Sequence, residues 1–351
     1  MKAYLPRVAD EQIRKALATF GAIILQGPRA AGKTTTGLHV AASSVRLDSS
    51  PELAALADTA PQTLLSGSAP RLIDEWQLAP SIWNAVRHEV DRRGEPGQFI
   101  LTGSATPADD ITRHSGAGRF RRVTLRPMTL AESGDSIATV SLTTLFEGRP
   151  IGGHGGPTVE DYARLITRGG WPALVSRPER SASEYLTSYL EDVARVDLPG
   201  ADIRIDPLRM LALVRALARN TSTEASAAKL SIEAGIDLTG ESGLALSAQS
   251  ARKYLDALAR VYVLEEQPAW APHLRSKVRL RVQPKWHLID PSLAAAALGA
   301  SPSGLLDDLN TFGLLFESLC VRDFRVHTEA LGGSVYHYRD EPGLRSTSSS
   351  N

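Results

Sequence analysis

The stretch LQGPRAAGKTTTG (25–37) follows a short apolar run and decides how the first part of the chain must fold. Within it, GPRAAGKT (27–34) fits G-x-x-x-x-G-K-[ST] at every fixed position, with a strand before it and a helix after it. Gly27 and Gly32 leave room for backbone N–H groups to point at phosphate oxygens, and the helix N-terminus adds the positive end of its dipole. Lys33 is placed to bridge β- and γ-phosphates, and the Thr34 hydroxyl to ligate Mg²⁺. The binding set read from this stretch is Gly27, Pro28, Arg29, Ala30, Ala31, Gly32, Lys33, Thr34 and Thr35.

Around the cradle, short apolar runs alternate with helical stretches, as expected of a parallel sheet covered on both faces. AIIL (22–25), VRLD (45–48), RLID (71–74), QFILTG (98–103) and RRVTLRP (121–127) are the expected strands. Residues 32–42 and 80–93 have helical spacing, the latter with Ile82, Trp83, Val86 and Val90 on one face. RLIDEWQ carries the second motif: Asp74 and Glu75 end an apolar run at the C-terminal end of a strand, where ligands collect in open α/β sheets. Asp74 would hold Mg²⁺ through water, and Glu75 would orient or deprotonate the attacking water. FILTGSA ends the next strand, and either Thr102 or Ser104 is placed to touch a γ-phosphate and sense its loss. A turn-forming role is the plain alternative for both.

TRHSGAGRFRRVTLRP (112–127) follows, with Arg113, Arg119, Arg121, Arg122 and Arg126. A solvated basic loop is one reading. The sharper one makes Arg119 an arginine finger, reaching a γ-phosphate in its own subunit or in a neighbouring subunit of a homo-oligomer.

The 39 basic and 39 acidic residues balance, so any binding of nucleic acid must rest on a local patch. A single cysteine, Cys320, excludes a disulfide framework and suits a reducing cytoplasm. No stretch approaches the roughly 20 apolar residues that span a bilayer, so a soluble cytoplasmic protein without membrane contact is expected. The histidines never fall in a metal-ligand spacing, and no G-x-S-x-G elbow is present.

Residues 132–165 are rich in Gly, Ser and Thr and should contain a linker, placing a boundary near 150. Beyond it the chain reads helical over 160–175, 181–198 and 207–220. Residues 207–270 read as helix, short helix, helix and two strand-like runs, a winged-helix pattern. Its recognition helix would start near Ser247 and carry Gln249, Arg252 and Lys253. That patch (247–253) is the place for nucleic acid, or equally a surface for protein contacts. The last part holds a helix over 312–330, one strand over 334–339, and a Ser-rich tail expected to stay unpacked.

GPRAAGKTT, LIDEWQLAPSIWNAVRHEVDRRGEPGQFILTGSA and TRHSGAGRFRRVTLRPMTLAESG resemble AAA-type P-loop ATPases of bacteria and archaea that carry a C-terminal domain called DUF4143. GGWP (169–172), YLEDVARVD (189–197) and FGLLFESLCVRDFRV (312–326) look like that second domain. The resemblance implies an ASCE-type α/β core with strand order 5-1-4-3-2, ATP and Mg²⁺ as ligands, and Glu75 as catalytic glutamate. It divides the chain into an ATP-binding domain (1–150), a helical linker region (151–206), a winged-helix-like region (207–275) and a C-terminal αβ piece (276–351), with 155–340 together resembling DUF4143. The last piece is similar to restriction-endonuclease-like folds, with Glu317 in the place of a helix acid. The hairpin that should follow Gly343 and Leu344 is replaced by RSTSSSN, which implies a truncated member, a sheet left with an edge at 335–338, and no nuclease centre.

The function expected from all this is an ATP hydrolase whose product is a conformational change. An ATP-liganded DNA-binding regulator and a small-molecule P-loop kinase are the alternatives.

Overall fold

The computed structural model describes residues 4–104, 116–153, 155–175, 177, 179–198, 205–239, 246–271, 282–339 and 345–350. They fall into two compact units, Met1–Arg126 and Pro127–Asn351. The Gly-rich stretch around 150 lies inside the second.

The first unit runs α1 (Ala9–Leu17), β1 (Ala22–Gln26), α2 (Lys33–Val40), β2 (Ser43–Arg46), α3 (Pro51–Thr59), α4 (Pro61–Leu65), β3 (Arg71–Asp74), α5 (Ser81–Arg93), β4 (Phe99–Gly103) and β5 (Phe120–Thr124). All five strands are parallel, in the order β2-β3-β4-β1-β5. Read from the other edge this is 5-1-4-3-2, the expected order, and it is the fold of the P-loop ATPases. Period-two alternation explains why the central strands are apolar throughout. Ala22, Ile24, Ile73, Phe99 and Leu101 pack on one face with Trp76, Ile82, Trp83, Val86 and Val90. Ile23, Leu25, Leu72 and Ile100 pack on the other with Ile13 and Leu17 of α1.

Register, rather than composition, positions the site. Arg46 lies opposite Asp74, Asp74 opposite Thr102, and Leu25 opposite Thr102, so four strands bring their C-terminal ends to one side of the sheet. β2 lies two residues earlier than its apolar pattern predicts. Leu47, at 1% exposure, instead begins the short 3₁₀ turn Leu47–Ser49 and reaches the core from there.

The second unit is mainly helical: α6 (Leu142–Phe146), α7 (Val159–Arg168), α8 (Glu179–Asp192), α9 (Pro207–Arg219), α10 (Ala227–Thr239), α11 (Ala248–Arg260), α12 (Pro291–Leu298), α13 (Pro302–Asp307) and α14 (Leu309–Ala330). Strands β6 (Leu264–Gln267) and β7 (Lys285–Leu288) pair antiparallel, as do β8 (Ser334–Arg339) and β9 (Arg345–Ser350). α7 stops before the Gly-Gly-Trp-Pro turn, although the pattern reads helical to 175. The Gly170 N–H bonds Asp290 Oδ2 and its carbonyl accepts from Met128 N–H, so neither serves a helix.

The expectation of an unpaired C-terminal strand and an unpacked tail is overturned. β9 is the Ser-rich tail itself, in register with β8 from Ser334↔Ser350 to Arg339↔Arg345. The other side of β8 is engaged too, since Trp270 N–H donates to His337 O and His337 N–H to Pro268 O. Ladder bonds come from the backbone, which serine supplies as well as any residue. Among the described residues, no helix is long and apolar enough to cross a membrane.

A buried ion pair organises this unit. Arg322 Nη1 donates to Asp290 Oδ2 at 2.7 Å and Arg322 Nη2 pairs with Asp323 at 2.7 Å, with Arg322 3% and Asp290 0% exposed. Asp323 in turn accepts from Leu130 N–H, and Asp290 Oδ1 from Ser292 N–H. Breaking such a pair leaves a buried charge uncompensated. Arg322→Met is therefore expected to destabilise the second unit by about 3–5 kcal/mol, measured by urea unfolding followed through the buried Trp171.

Candidate functional site

The loop 27–32 leaves β1 and turns directly into α2. Gly27 has φ 147°, and a Cβ there would run into the carbonyl oxygen of Leu125. Gly32 caps the helix at φ 97° with no side-chain hydrogen bond to the first turn. The first-turn N–H groups thus receive no side-chain cap from it, and a helix N-terminus left so favours an anion. Of the predicted set, Gly27, Pro28, Ala31 and Lys33 are buried, Gly32 and Thr34 half-buried, and Arg29, Ala30 and Thr35 exposed.

Lys33, 6% exposed, donates from Nζ to the carbonyls of Gly27 at 3.0 Å and Pro28 at 2.7 Å, so its ammonium lies within the ring of the loop. Thr34 Oγ1 donates to Asp74 Oδ1 at 2.9 Å. Thr102 Oγ1 donates to the same Asp74 oxygen, and Arg46 Nε lies 3.4 Å from Oδ2. Asp74 is wholly buried. Its carboxylate is held by a hydroxyl from α2, one from β4 and a cation from β2, which makes burial of the charge tolerable.

Glu75 comes next, at φ 56° and ψ 44°. That left-handed backbone takes it off the strand while Asp74 stays on it. Burial raises the affinity of its carboxyl for a proton; a hydrogen bond from Gln77 and the charge of Lys33 oppose this, and Asp74 and Asp48 add to it. The structure therefore gathers Lys33, Thr34, Asp74, Glu75 and Thr102 around the loop. Ser104, half-buried, sits one residue beyond β4.

Arg119 is elsewhere. It precedes β5, its carbonyl accepts from Ala22 N–H at the start of β1, and its Nε donates to Asp91 at 2.6 Å. The length of a five-residue strand, about 16 Å at 3.3 Å per residue, separates it from the loop of its own chain. Arg121 and Arg122 are exposed, Arg122 donating to Gln26 Oε1 at 3.0 Å; Arg126 is buried. Arg113 lies outside the described residues.

Two basic residues that the motifs do not contain belong to the site. Arg46 lies in a stretch read as an ordinary strand, and its register with Asp74 becomes visible only once β2 and β3 pair. Arg7, 7% exposed, donates from Nη1 to Ala31 O at 3.0 Å and from Nη2 to Arg126 O at 2.7 Å, tying the loop to the exit of β5. Nearby, the Tyr4 ring stacks on His39 of α2 at 4.0 Å.

In the second unit, Gln249, Arg252 and Lys253 lie exposed on α11, while Ala251, Tyr254, Leu255 and Leu258 of the same helix are buried. Glu317 on α14 is paired with Lys285 Nζ at 2.5 Å. Among the described residues, no group of three or more His, Cys, Asp or Glu is placed to hold a metal.

The loop, the buried aspartate at a strand end and the strand order together give the first unit the architecture of a nucleotide-binding P-loop domain. The comparisons agree: residues 19–134 match the family model described as AAA domain. Residues 159–304 match a domain of unknown function designated DUF8612, in place of the DUF4143 that the later motifs resemble. An uncharacterized protein of Mycobacterium bovis and one of Mycobacterium tuberculosis are each 28% identical to this chain over 300 residues. The match covers 84% of this chain and 59% of each relative, so the chain spans about three-fifths of the length of these curated relatives. Among solved structures, the Walker-type ATPase of Pyrococcus abyssi superimposes with a TM-score of 0.50 at 13% identity, covering 84% of this chain and 96% of that one. At that identity the likeness concerns the fold.

Arg7→Met would leave two buried carbonyls without this donor. It is expected to cost about 2–4 kcal/mol, read as a lower denaturant midpoint at unchanged slope.

Proposed function

We propose that the chain binds ATP with Mg²⁺ and hydrolyses it, and that nucleotide state changes the conformation of the second unit. One observation carries the reading: Thr34 and Asp74, distant in sequence, meet at 2.9 Å beside a buried lysine whose Nζ is held by the carbonyls of the loop after β1. A threonine hydroxyl and a carboxylate are hard oxygen donors, the set that suits Mg²⁺. When bound, Mg²⁺ would neutralise charge on the β- and γ-phosphate oxygens. The protein's own contributions follow from position. Backbone N–H groups of the loop and Lys33 orient the phosphates, Thr34 and Asp74 hold the cation, and Glu75 accepts from the water that attacks. Thr102 shares the Asp74 oxygen and sits where loss of a γ-phosphate would be felt, with Ser104 next to it.

Coupling has a covalent route. β5 runs into Arg126, whose carbonyl is held by Arg7, and the next residue, Pro127, begins the second unit. Arg119 acts on a phosphate only in trans under this reading, from another copy of the chain.

In the test, Lys33→Ala abolishes Mg-dependent ATP binding, whereas Glu75→Gln keeps binding within about threefold and lowers turnover by 10² or more. Wild-type protein that shows no Mg-dependent ATP binding sinks the proposal. Trans action of Arg119 is checked in the same assay, as turnover per subunit that rises with protein concentration and falls on Arg119→Ala.

A second reading rests on α11. Its exposed Gln249, Arg252 and Lys253, on the third of three helices ahead of the β6–β7 pair, would suit a winged helix that reads DNA with ATP as ligand. Salt-dependent duplex binding that weakens on Arg252→Ala and Lys253→Ala would support it. Binding indifferent to both removes it.

A further inference from the structure

We propose that Gln77 is a positioning residue for Glu75 and that its amide couples the end of β4 to that carboxylate; the inference rests on the ATPase reading above. Gln77 lies in the short 3₁₀ turn Trp76–Leu78 that follows Glu75. Its Nε2 donates to Glu75 Oε2. A carboxylate only accepts, so the amide is fixed this way round, with its oxygen facing away from Glu75.

That oxygen points at β4. Gln77 Oε1 is buried and has no hydrogen-bond partner among the described residues. It lies over Gly103, where an added Cβ would stand 2.6 Å from it and 3.0 Å from Trp76 Nε1. Gly103 is the last residue of β4, between Thr102, which bonds the metal-side Asp74, and Ser104. One amide therefore touches the proposed base at one end and packs against the strand that would sense the γ-phosphate at the other.

Glu75 needs such a support. Its backbone leaves the strand at φ 56°. The charged groups that face its carboxylate are Lys33 from α2, Asp74 beside it and Asp48 from the turn after β2, and these pull it in opposing directions. With Oε2 held by Gln77, Oε1 remains to accept from water, and its direction follows the seat of the amide. A shift at the end of β4 moves that seat. Misplacement of a reacting group by about 1 Å costs on the order of 10² in rate.

Two substitutions reach the same link from opposite sides. Gln77→Ala removes the amide. Gly103→Ala leaves it but occupies its seat, and because Oε1 is the far end of a flexible side chain, the amide yields rather than the strand. ATPase turnover is measured on the full chain for wild type, both single variants, the double variant and Gln77→Glu, with ATP affinity measured alongside. Each single variant is expected to lower kcat by about 10- to 100-fold with KM and ATP affinity within about twofold. The double variant should lose no more than the worse single one, because both act on one contact. Gln77→Glu keeps the size but puts a like charge against Glu75, and should lose at least as much as Gln77→Ala.

Wild-type kcat in Gly103→Ala, losses that multiply in the double variant, or a raised KM at unchanged kcat would overturn the proposal. If Gly103→Ala does not fold, Gln77→Ala and Gln77→Glu decide it alone. Turnover that falls with Glu75→Gln but not with either Gln77 variant refutes this inference and leaves the ATPase reading standing. Turnover that survives Lys33→Ala refutes both.

Discussion

The first unit depends on one buried carboxylate. Asp74 is completely inaccessible, and a charge so placed is tolerated only if every element around it supplies a partner. Here α2 gives Thr34, β4 gives Thr102 and β2 gives Arg46. Each of those groups arrives by register: β3 must pair with β2 and β4 in the observed alignment, and α2 must begin at Lys33 for Thr34 to face inward. A slip of one residue in β3 would turn Asp74 into the apolar layer on the other face. The requirement that brings Thr34, Asp74 and Thr102 together thus also fixes the sheet.

The phosphate loop stands under a second constraint, the close approach of two backbones. Gly27 lies against Leu125 O, and Arg7 bridges Ala31 O to Arg126 O. The loop is therefore held between the N-terminal segment and the exit of β5, in addition to its own strand and helix. Rigidity of this kind lets N–H groups converge on an anion without reorganising at the moment of binding.

What could be read from the chain beforehand follows a physical division. The loop, Asp74 and Glu75 were legible because their signals are local, a fixed spacing and an apolar run that ends in acids; the strand order was implied by the family resemblance those motifs carry. Arg7, Arg46 and Gln77 were not, because their roles arise from contacts between segments that no period or motif connects. β2 was misread by two residues since Leu47 enters the core from a turn, where alternation does not apply. The Ser-rich tail was read as unpacked from its composition, yet strand pairing draws on backbone groups that composition does not report. Arg119 was singled out within an arginine-rich polar loop, whereas parallel pairing with β1 sets the start of β5 beside Ala22, at the end of the strands opposite the phosphate loop.

The second unit repeats the logic of the first with opposite emphasis. Its buried Arg322 is shared between Asp290 and Asp323, and backbone N–H groups help hold the two carboxylates; together they draw in the turn after α7, the segment at Met128–Leu130, the start of α12 and the middle of α14. Such a network strongly favours one arrangement of those four segments, because parting any of them leaves a charge without its partner. Leu130 is four residues beyond Arg126, where β5 has just left the phosphate loop. Under the function proposed above, a change at that exit would reach the network along the chain itself, and the network would favour movement of its four segments together.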